Sequence, residues 1–173
     1  MDLETVVVYD SESDGFVYEA TKIHVISIIP ALSTDNEMAS YYGNTIEDGL
    51  QRLADARVIV AHNQIKHDIL LFQKLYPDWT PPLVLDTLVL SALLNPERLG
   101  GHSIEAWGRR MGGEQKVVHE DWSTFSFAML QRCESDTRLN KRVLHRLLKE
   151  SYADIDGVDI YNFNFGDDNA EDI

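Results

Sequence analysis

Cysteine is almost absent from this sequence, in which Cys133 is the single example among 173 residues. One cysteine excludes an intramolecular disulfide. Long apolar runs are absent as well: none approaches the roughly 18 residues of a membrane span, and the chain does not open with a basic segment followed by an apolar one. We therefore expect a soluble, non-secreted protein of the reducing cytoplasm, without a membrane partner.

Basic residues are scarce at both ends of the chain, where acids dominate a formal net charge of −14. Residues 1–57 carry three Lys/Arg and eleven Asp/Glu, and residues 150–173 carry eight acids and no base. Residues 58–149 carry twelve bases and ten acids. The net charge argues against a nucleic-acid partner, but the slightly basic middle and later body could tolerate a phosphate backbone.

The order of apolar runs predicts a domain of the α/β class, and a hydrophobic content of 44% suffices for a full core. Strands are expected over 6–9, 23–29, 40–42, 58–61 and 83–85, and helices over 45–54, 63–75, 86–94, 102–111 and 126–149. An antiparallel meander followed by a β-α-β pattern predicts a mixed central β-sheet flanked by α-helices. Thr45, with Asp48 three positions on, is a weak capping box for the first helix.

Two acidic residues follow the first predicted strand. Asp10 and Glu12 are two positions apart, so in extended backbone their side chains share a face and repel each other unless a cation lies between them. A divalent metal ion would meet this need. A polar turn of solvated acids, marked by Gly15, is the alternative.

Two further carboxylates lie on the apolar faces of predicted helices, where an ionised group is costly unless it is paired or binds a metal. Asp68 shares its face with Leu71, Phe72 and Leu75, and Asp136 shares its face with Cys133, Asn140, Val143 and Leu147. Four oxygen donors without His or Cys favour Mg²⁺ or Mn²⁺ over zinc. Two such ions would suit the hydrolysis of a phosphodiester.

The spacing of these acids resembles the three exonuclease motifs of the DnaQ-like 3′-to-5′ exonucleases, the DEDD superfamily with a ribonuclease-H-like fold. The matching segments are residues 10–12 (DSE), 62–68 (HNQIKHD) and 132–136 (RCESD). Residues 86–91 (DTLVLS) and 101–108 (GHSIEAWG) are similar to the proofreading domain of family A DNA polymerases from small tailed phages. The resemblance covers about residues 4–149.

The resemblance implies four residues that are both catalytic and metal-binding, with two Mg²⁺ or Mn²⁺ ions as cofactors: Asp10, Glu12, Asp68 and Asp136. It also implies that Asn63 helps to hold the substrate strand and that Phe16 is an apolar wedge near the terminal base. The alternatives are that Asn63 only caps its helix and that Phe16 only belongs to the core.

Arg132 is a departure from the family, which has Tyr four residues before the last Asp or His five residues before it. Here Arg132 and Gln131 occupy those positions. Arg132 either pairs with Asp136 and weakens metal binding, or it contributes to substrate binding by holding the scissile phosphate. Three histidines could stand in as the base that activates water: His67, His102 and His119.

The resemblance implies an exonuclease domain over residues 1–150, followed by an acidic, aromatic tail over residues 151–173. We expect it to cleave phosphodiester bonds at the 3′ ends of single-stranded or frayed DNA. It would act as a free nuclease, or proofread for a separate DNA polymerase in a phage-infected bacterial cell. The alternatives are a 3′-to-5′ exoribonuclease and a catalytically weak docking subunit of the same fold. Four mutually repelling acids argue against the docking subunit.

Overall fold

Five strands and five α-helices form the described part of the protein. The computed structural model describes residues 6–112 and 121–152, so the predicted tail from residue 153 onward lies outside these ranges. In chain order the strands and helices are β1 (Val6–Ser13), β2 (Ile23–Pro30), β3 (Ala39–Tyr42), α1 (Ile46–Asp55), β4 (Val58–Ala61), α2 (Asp68–Leu75), β5 (Leu83–Asp86), α3 (Thr87–Leu94), α4 (Ile104–Arg110) and α5 (Phe127–Tyr152). The predicted order of strands and helices is confirmed.

The five strands form a mixed sheet in the order β3-β2-β1-β4-β5. β2 is antiparallel to β1 and β3, whereas β4 runs parallel to β1 and to β5. This confirms the predicted α/β fold, in which an antiparallel meander joins a parallel β-α-β unit. In open sheets with parallel strands, ligand sites form beyond the carboxyl ends of those strands.

Alternate residues of β1 face opposite sides of the sheet, and different helices cover the two sides. Tyr9 packs in the core that α1 and α2 contribute to, and Val8 packs in a second core with Leu144 of α5. Asp10 and Glu12 have the same parity as Val8. Their side chains are therefore directed to the side of the sheet that α5 covers.

The strand β1 is longer than predicted, because it continues to Ser13. Asp10 and Glu12 thus lie within a strand, and the alternative of a solvated polar turn is wrong. β1 pairs with β4 over residues 6–8 only, but with β2 from residue 7 to residue 13. The half of β1 that carries the acids therefore projects beyond its parallel neighbour.

The helix α2 begins at Asp68, not at Asn63 as predicted. The intervening residues form turns, and Asn63 has a left-handed φ of 65°. The carboxylate of Asp86 accepts the backbone N–H groups of Asn63 and Ile65, which stabilises this turn. Asn63 therefore does not cap α2, whose N-cap position is His67.

The start of α1 also differs from the prediction. Thr45 is at the N-cap position, but it makes no side-chain capping bond, and its hydroxyl donates to the backbone carbonyl of Tyr42. The predicted capping box is absent. Burial of Ile46, Leu50 and Leu53 against the sheet positions α1 instead.

Within residues 6–112 and 121–152, no helix is both long enough and apolar enough to cross a membrane. The longest, α5, has 26 residues, but charged side chains recur along it.

Candidate active site

Three carboxylates meet where β1 passes α5. Asp10 and Glu12 come from the strand and Asp136 from the helix, and one oxygen of each lies within 4.8 Å of the others. The helix is held against the strand at this point, because the thiol of Cys133 donates to the backbone carbonyl of Asp10 at 3.3 Å. The structure therefore brings three of the four predicted carboxylates together.

Burial and repulsion dominate the electrostatics of this group. Part of Asp10 remains accessible to solvent, but protein surrounds its carboxylate, and burial raises its pKa well above the usual range. Glu12, Asp136 and Asp68 raise that pKa further, and Arg132 opposes them. A divalent cation would relieve the repulsion, and the all-oxygen donor set fits Mg²⁺ or Mn²⁺.

Asp68, the fourth predicted carboxylate, is not part of this cluster, but its charge raises the pKa of Asp10. It is the first residue of α2, only 5% exposed, and its Oδ1 accepts the hydroxyl of Ser11 at 2.5 Å. Ser11 lies between the two acids of β1 in sequence and so points to the opposite side of the sheet. Burial raises the pKa of Asp68, while the Ser11 hydrogen bond and His67, 3.9 Å away, lower it.

Arg132 contacts Glu12 more closely than Asp136, its predicted partner. Its Nε lies 2.9 Å from Glu12 Oε1 and 3.9 Å from Asp136 Oδ2. The Nε–H has no aligned acceptor among the described residues, so these contacts are ion pairs and not hydrogen bonds. The guanidinium carbon lies 4.7 Å from the centroid of the Trp122 ring, within cation–π range.

Asp86 stabilises the turn that carries Asn63, a role that sequence reasoning missed. Its Oδ1 accepts the N–H groups of Asn63, Leu88 and Val89, and its Oδ2 accepts that of Ile65. One buried carboxylate thus caps α3 and holds the turn before α2. An acid directly before a predicted helix signals the cap, but not the contact with the distant turn.

Gln64 fixes the same turn from the core side. Its fully buried side chain accepts the hydroxyl of Tyr9 at 3.0 Å and donates to the carbonyl of Leu85 at 2.8 Å. Tyr9 directly precedes Asp10. The turn at Asn63 and the strand that carries the acids therefore share one hydrogen-bonded network.

Phe16 lies on the surface in the connection between β1 and β2. It is 78% exposed, so it does not belong to the core. Lys74 of α2 anchors this connection by donating to the backbone carbonyls of Val17, Tyr18 and Ala20. An exposed aromatic side chain on an anchored loop suits the predicted base contact, which stays a prediction.

The structure separates the histidines that could serve as a base. His67 lies near Asp68, whereas the Nδ1 of His102 lies 2.9 Å from the hydroxyl of Ser91, in the region of α3 and α4. His119 lies outside the described residues.

His62 is a half-buried histidine that sequence reasoning did not single out. Its Nδ1 lies 2.9 Å from the hydroxyl oxygen of Thr87, which in turn lies 2.6 Å from Oδ1 of Asn140. Burial lowers the pKa of His62 to about 4, although the nearby Asp86 raises it. The neutral ring therefore links the end of β4 to α3 and α5.

Sequence comparison relates the chain to two phage enzymes. The DNA-directed DNA polymerases of Escherichia phage T7 and Enterobacteria phage T3 are each 26% identical to it, over 95% of the chain. The chain spans only 30% of the length of either polymerase. No protein-family profile matches the chain.

Structure comparison identifies nucleases with the same fold. Brucella melitensis NrnC bound to pGG is 18% identical with a TM-score of 0.67, over 86% of this chain and 75% of that one. Escherichia coli RNase D, an exoribonuclease, is 13% identical with a TM-score of 0.65, over 86% of this chain and 40% of that one. The resemblance to the DnaQ-like exonucleases and to phage DNA polymerases is thus confirmed, and the chain has the ribonuclease-H-like exonuclease fold.

Proposed function

We propose that this chain is a metal-dependent 3′-to-5′ exonuclease that hydrolyses phosphodiester bonds at the 3′ ends of single-stranded or frayed DNA. The observation that carries the proposal is the cluster of Asp10, Glu12 and Asp136, with Asp68 acting electrostatically on Asp10, in an exonuclease fold. Mutually repelling acids inside a protein cost stability, and a cation-binding role accounts for them. Similarity to two phage DNA polymerases supports DNA as substrate and proofreading beside a polymerase as the role.

The four carboxylates would hold Mg²⁺ or Mn²⁺, with two ions in the proposed site. Such ions supply positive charge that polarises the phosphate and makes the attacking water more acidic. A solved structure of NrnC with bound Mg²⁺ has a similar fold, at 17% identity and a TM-score of 0.64, which supports this choice. Ser11 fixes the orientation of Asp68, and the Cys133 contact fixes α5 against Asp10.

The chain provides no proton acceptor one turn before Asp136. Arg132 stands at that position, and a guanidinium does not lose its proton near neutral pH. A positioned general base contributes about 10²- to 10⁴-fold in comparable reactions. Hydrolysis should therefore be slow at neutral pH and should rise with pH.

An exoribonuclease is the second candidate function. The structurally similar proteins include RNase D, an exoribonuclease, and NrnC bound to pGG. The same carboxylates would serve this reaction. The two candidates differ in how the surroundings of Asn63 and Phe16 accommodate a ribose 2′-hydroxyl.

One assay tests both candidates. Single-stranded DNA, single-stranded RNA and a mismatched primer-template, each labelled at the 5′ end, are incubated with Mg²⁺ or Mn²⁺. A ladder that shortens from the 3′ end of DNA, and that EDTA or Asp10→Ala abolishes, supports the proposal. Faster degradation of RNA favours the second candidate, and no metal-dependent ladder on any substrate refutes both.

A further inference from the structure

We infer that Arg132 is a resident cation of the carboxylate site, which competes with a divalent metal ion for Glu12 and Asp136. The inference rests on the proposed function and deepens it, because it names the residue that sets the metal concentration at which the site fills.

The contacts of Arg132 show that its positive charge offsets the negative charge of the carboxylate cluster. Its Nε is 2.9 Å from an oxygen of Glu12 and 3.9 Å from an oxygen of Asp136. Both acids belong to the group whose oxygens lie within 4.8 Å of one another. A divalent ion that binds Glu12 must displace the guanidinium or bind against its charge, and either costs affinity.

Trp122 keeps the guanidinium at this place. The ring lies against the face of Arg132 and leaves its side chain only 15% exposed. Trp122 is itself fixed, because its backbone carbonyl accepts a hydrogen bond from His24 Nε2 at 3.0 Å. Its ring packs on a core that contains Met129. Arg132 is therefore held by its surroundings, unlike a solvent-exposed arginine, which could swing away.

The same helix provides a matched control. Arg138 forms an i,i+4 ion pair with Glu134 at 3.5 Å, and its side chain is 37% exposed. Neither residue belongs to the carboxylate cluster. Arg138→Gln removes the same charge from α5 as Arg132→Gln but leaves the cluster intact.

The test is a calorimetric titration of the full-length protein, stripped of metal, with Mg²⁺ and with Mn²⁺. We expect Arg132→Gln to bind metal about tenfold more tightly than the wild type, because the competing charge is gone. It should also melt at a lower temperature than the wild type in EDTA, and added metal should raise its melting temperature by more. Arg138→Gln should match the wild type in metal affinity, and Arg132→Lys, which keeps the charge, should stay close to it.

Unchanged or weaker metal binding by Arg132→Gln would overturn the inference. So would an Arg132→Lys protein that binds metal as tightly as Arg132→Gln, since charge would then not be the cause. If Arg132→Gln fails to fold, Arg132→Met decides, because it also removes the charge but keeps an apolar contact with the Trp122 ring. It should bind metal more tightly than the wild type, and unchanged or weaker binding overturns the inference. These readouts do not depend on hydrolysis, so a failure of the proposed function remains distinguishable.

Discussion

Asp10 combines a cost in stability with its proposed role in metal binding. Three other carboxylates raise its pKa in addition to burial, so its charged form destabilises the metal-free fold. We expect Asp10→Ala to abolish hydrolysis while leaving the protein as stable as the wild type in EDTA, or more stable by up to about 2 kcal/mol. Thermal melts in EDTA and hydrolysis in Mg²⁺ measure the two effects.

Glu134→Gln is the control for this substitution. Glu134 accepts the hydroxyl of Ser40 at 2.9 Å and lies outside the carboxylate cluster, so this variant should keep its activity. A folded and fully active Asp10→Ala protein would contradict the assignment of the site.

Arg132→Tyr places a phenol one helical turn before Asp136 and removes the charge beside Glu12. We expect turnover at saturating Mn²⁺ to rise by about 10²-fold, at the lower end of what a positioned proton acceptor contributes. Single-turnover rates check this. A tenfold drop with metal affinity unchanged would show instead that Arg132 binds the phosphate.

His62 makes the fold sensitive to acid. Burial lowers its pKa from 6.5 to about 4, so the unfolded chain binds a proton between these values while the folded protein does not. Its effect on the free energy of unfolding is absent above pH 6.5, and stability falls by about 3 kcal/mol in total as pH drops from 6.5 to about 4, with little further change below. The raised pKa values of buried carboxyl groups change the stability in the opposite direction. The measurement is therefore the difference in free energy of unfolding between the wild type and His62→Asn, in urea melts from pH 4 to pH 7. A constant difference over this range would refute the assignment.

At the scale of structural elements, the turn between β4 and α2 depends on Asp86. In Asp86→Asn an amide nitrogen replaces Oδ2 and faces the N–H of Ile65, while Oδ1 can still cap α3. We expect a loss of about 1–2 kcal/mol in stability and a higher KM for DNA, with kcat changed less, because only the turn that carries Asn63 loosens. Urea melts and steady-state kinetics measure these changes.

A double variant tests whether this effect acts through Asn63. If it does, Asp86→Asn should add little to the KM of Asn63→Ala. Fully additive effects would show that Asp86 only supports the fold.

Local patterns were enough to predict the elements and the shared face of Asp10 and Glu12, but not the contacts between distant segments. Apolar periodicity located the five strands and five helices, and the parity of β1 placed Asp10 and Glu12 on one face. The start of α2 was wrong because Asp86, 23 positions after Asn63, holds the turn. The preference of Arg132 for Glu12 depends on how α5 crosses β1, which helical spacing to Asp136 does not reveal.

For the whole molecule, the distribution of charge limits how strongly nucleic acid binds. Twelve bases against ten acids in residues 58–149 can neutralise few phosphates. We expect single-stranded DNA to bind the Asp10→Ala protein weakly, with a slope of log affinity against log salt of only about −2, or some three phosphates. Fluorescence anisotropy across a salt series measures this slope, and a value several times steeper would reveal a basic surface that the overall charge conceals.

The alternation along β1 also limits which changes of length the chain tolerates. Asp10 and Glu12 point to α5 and Ser11 to α2, so deleting one residue from the apolar half of the strand would exchange the two sets. The acids would then enter the core against α2, and a serine would face Asp136. Exchanging one apolar side chain for another at Val6, Val7 or Val8 keeps this alternation, but a single-residue insertion or deletion there would destroy the site. The loop between β1 and β2 could absorb the same change.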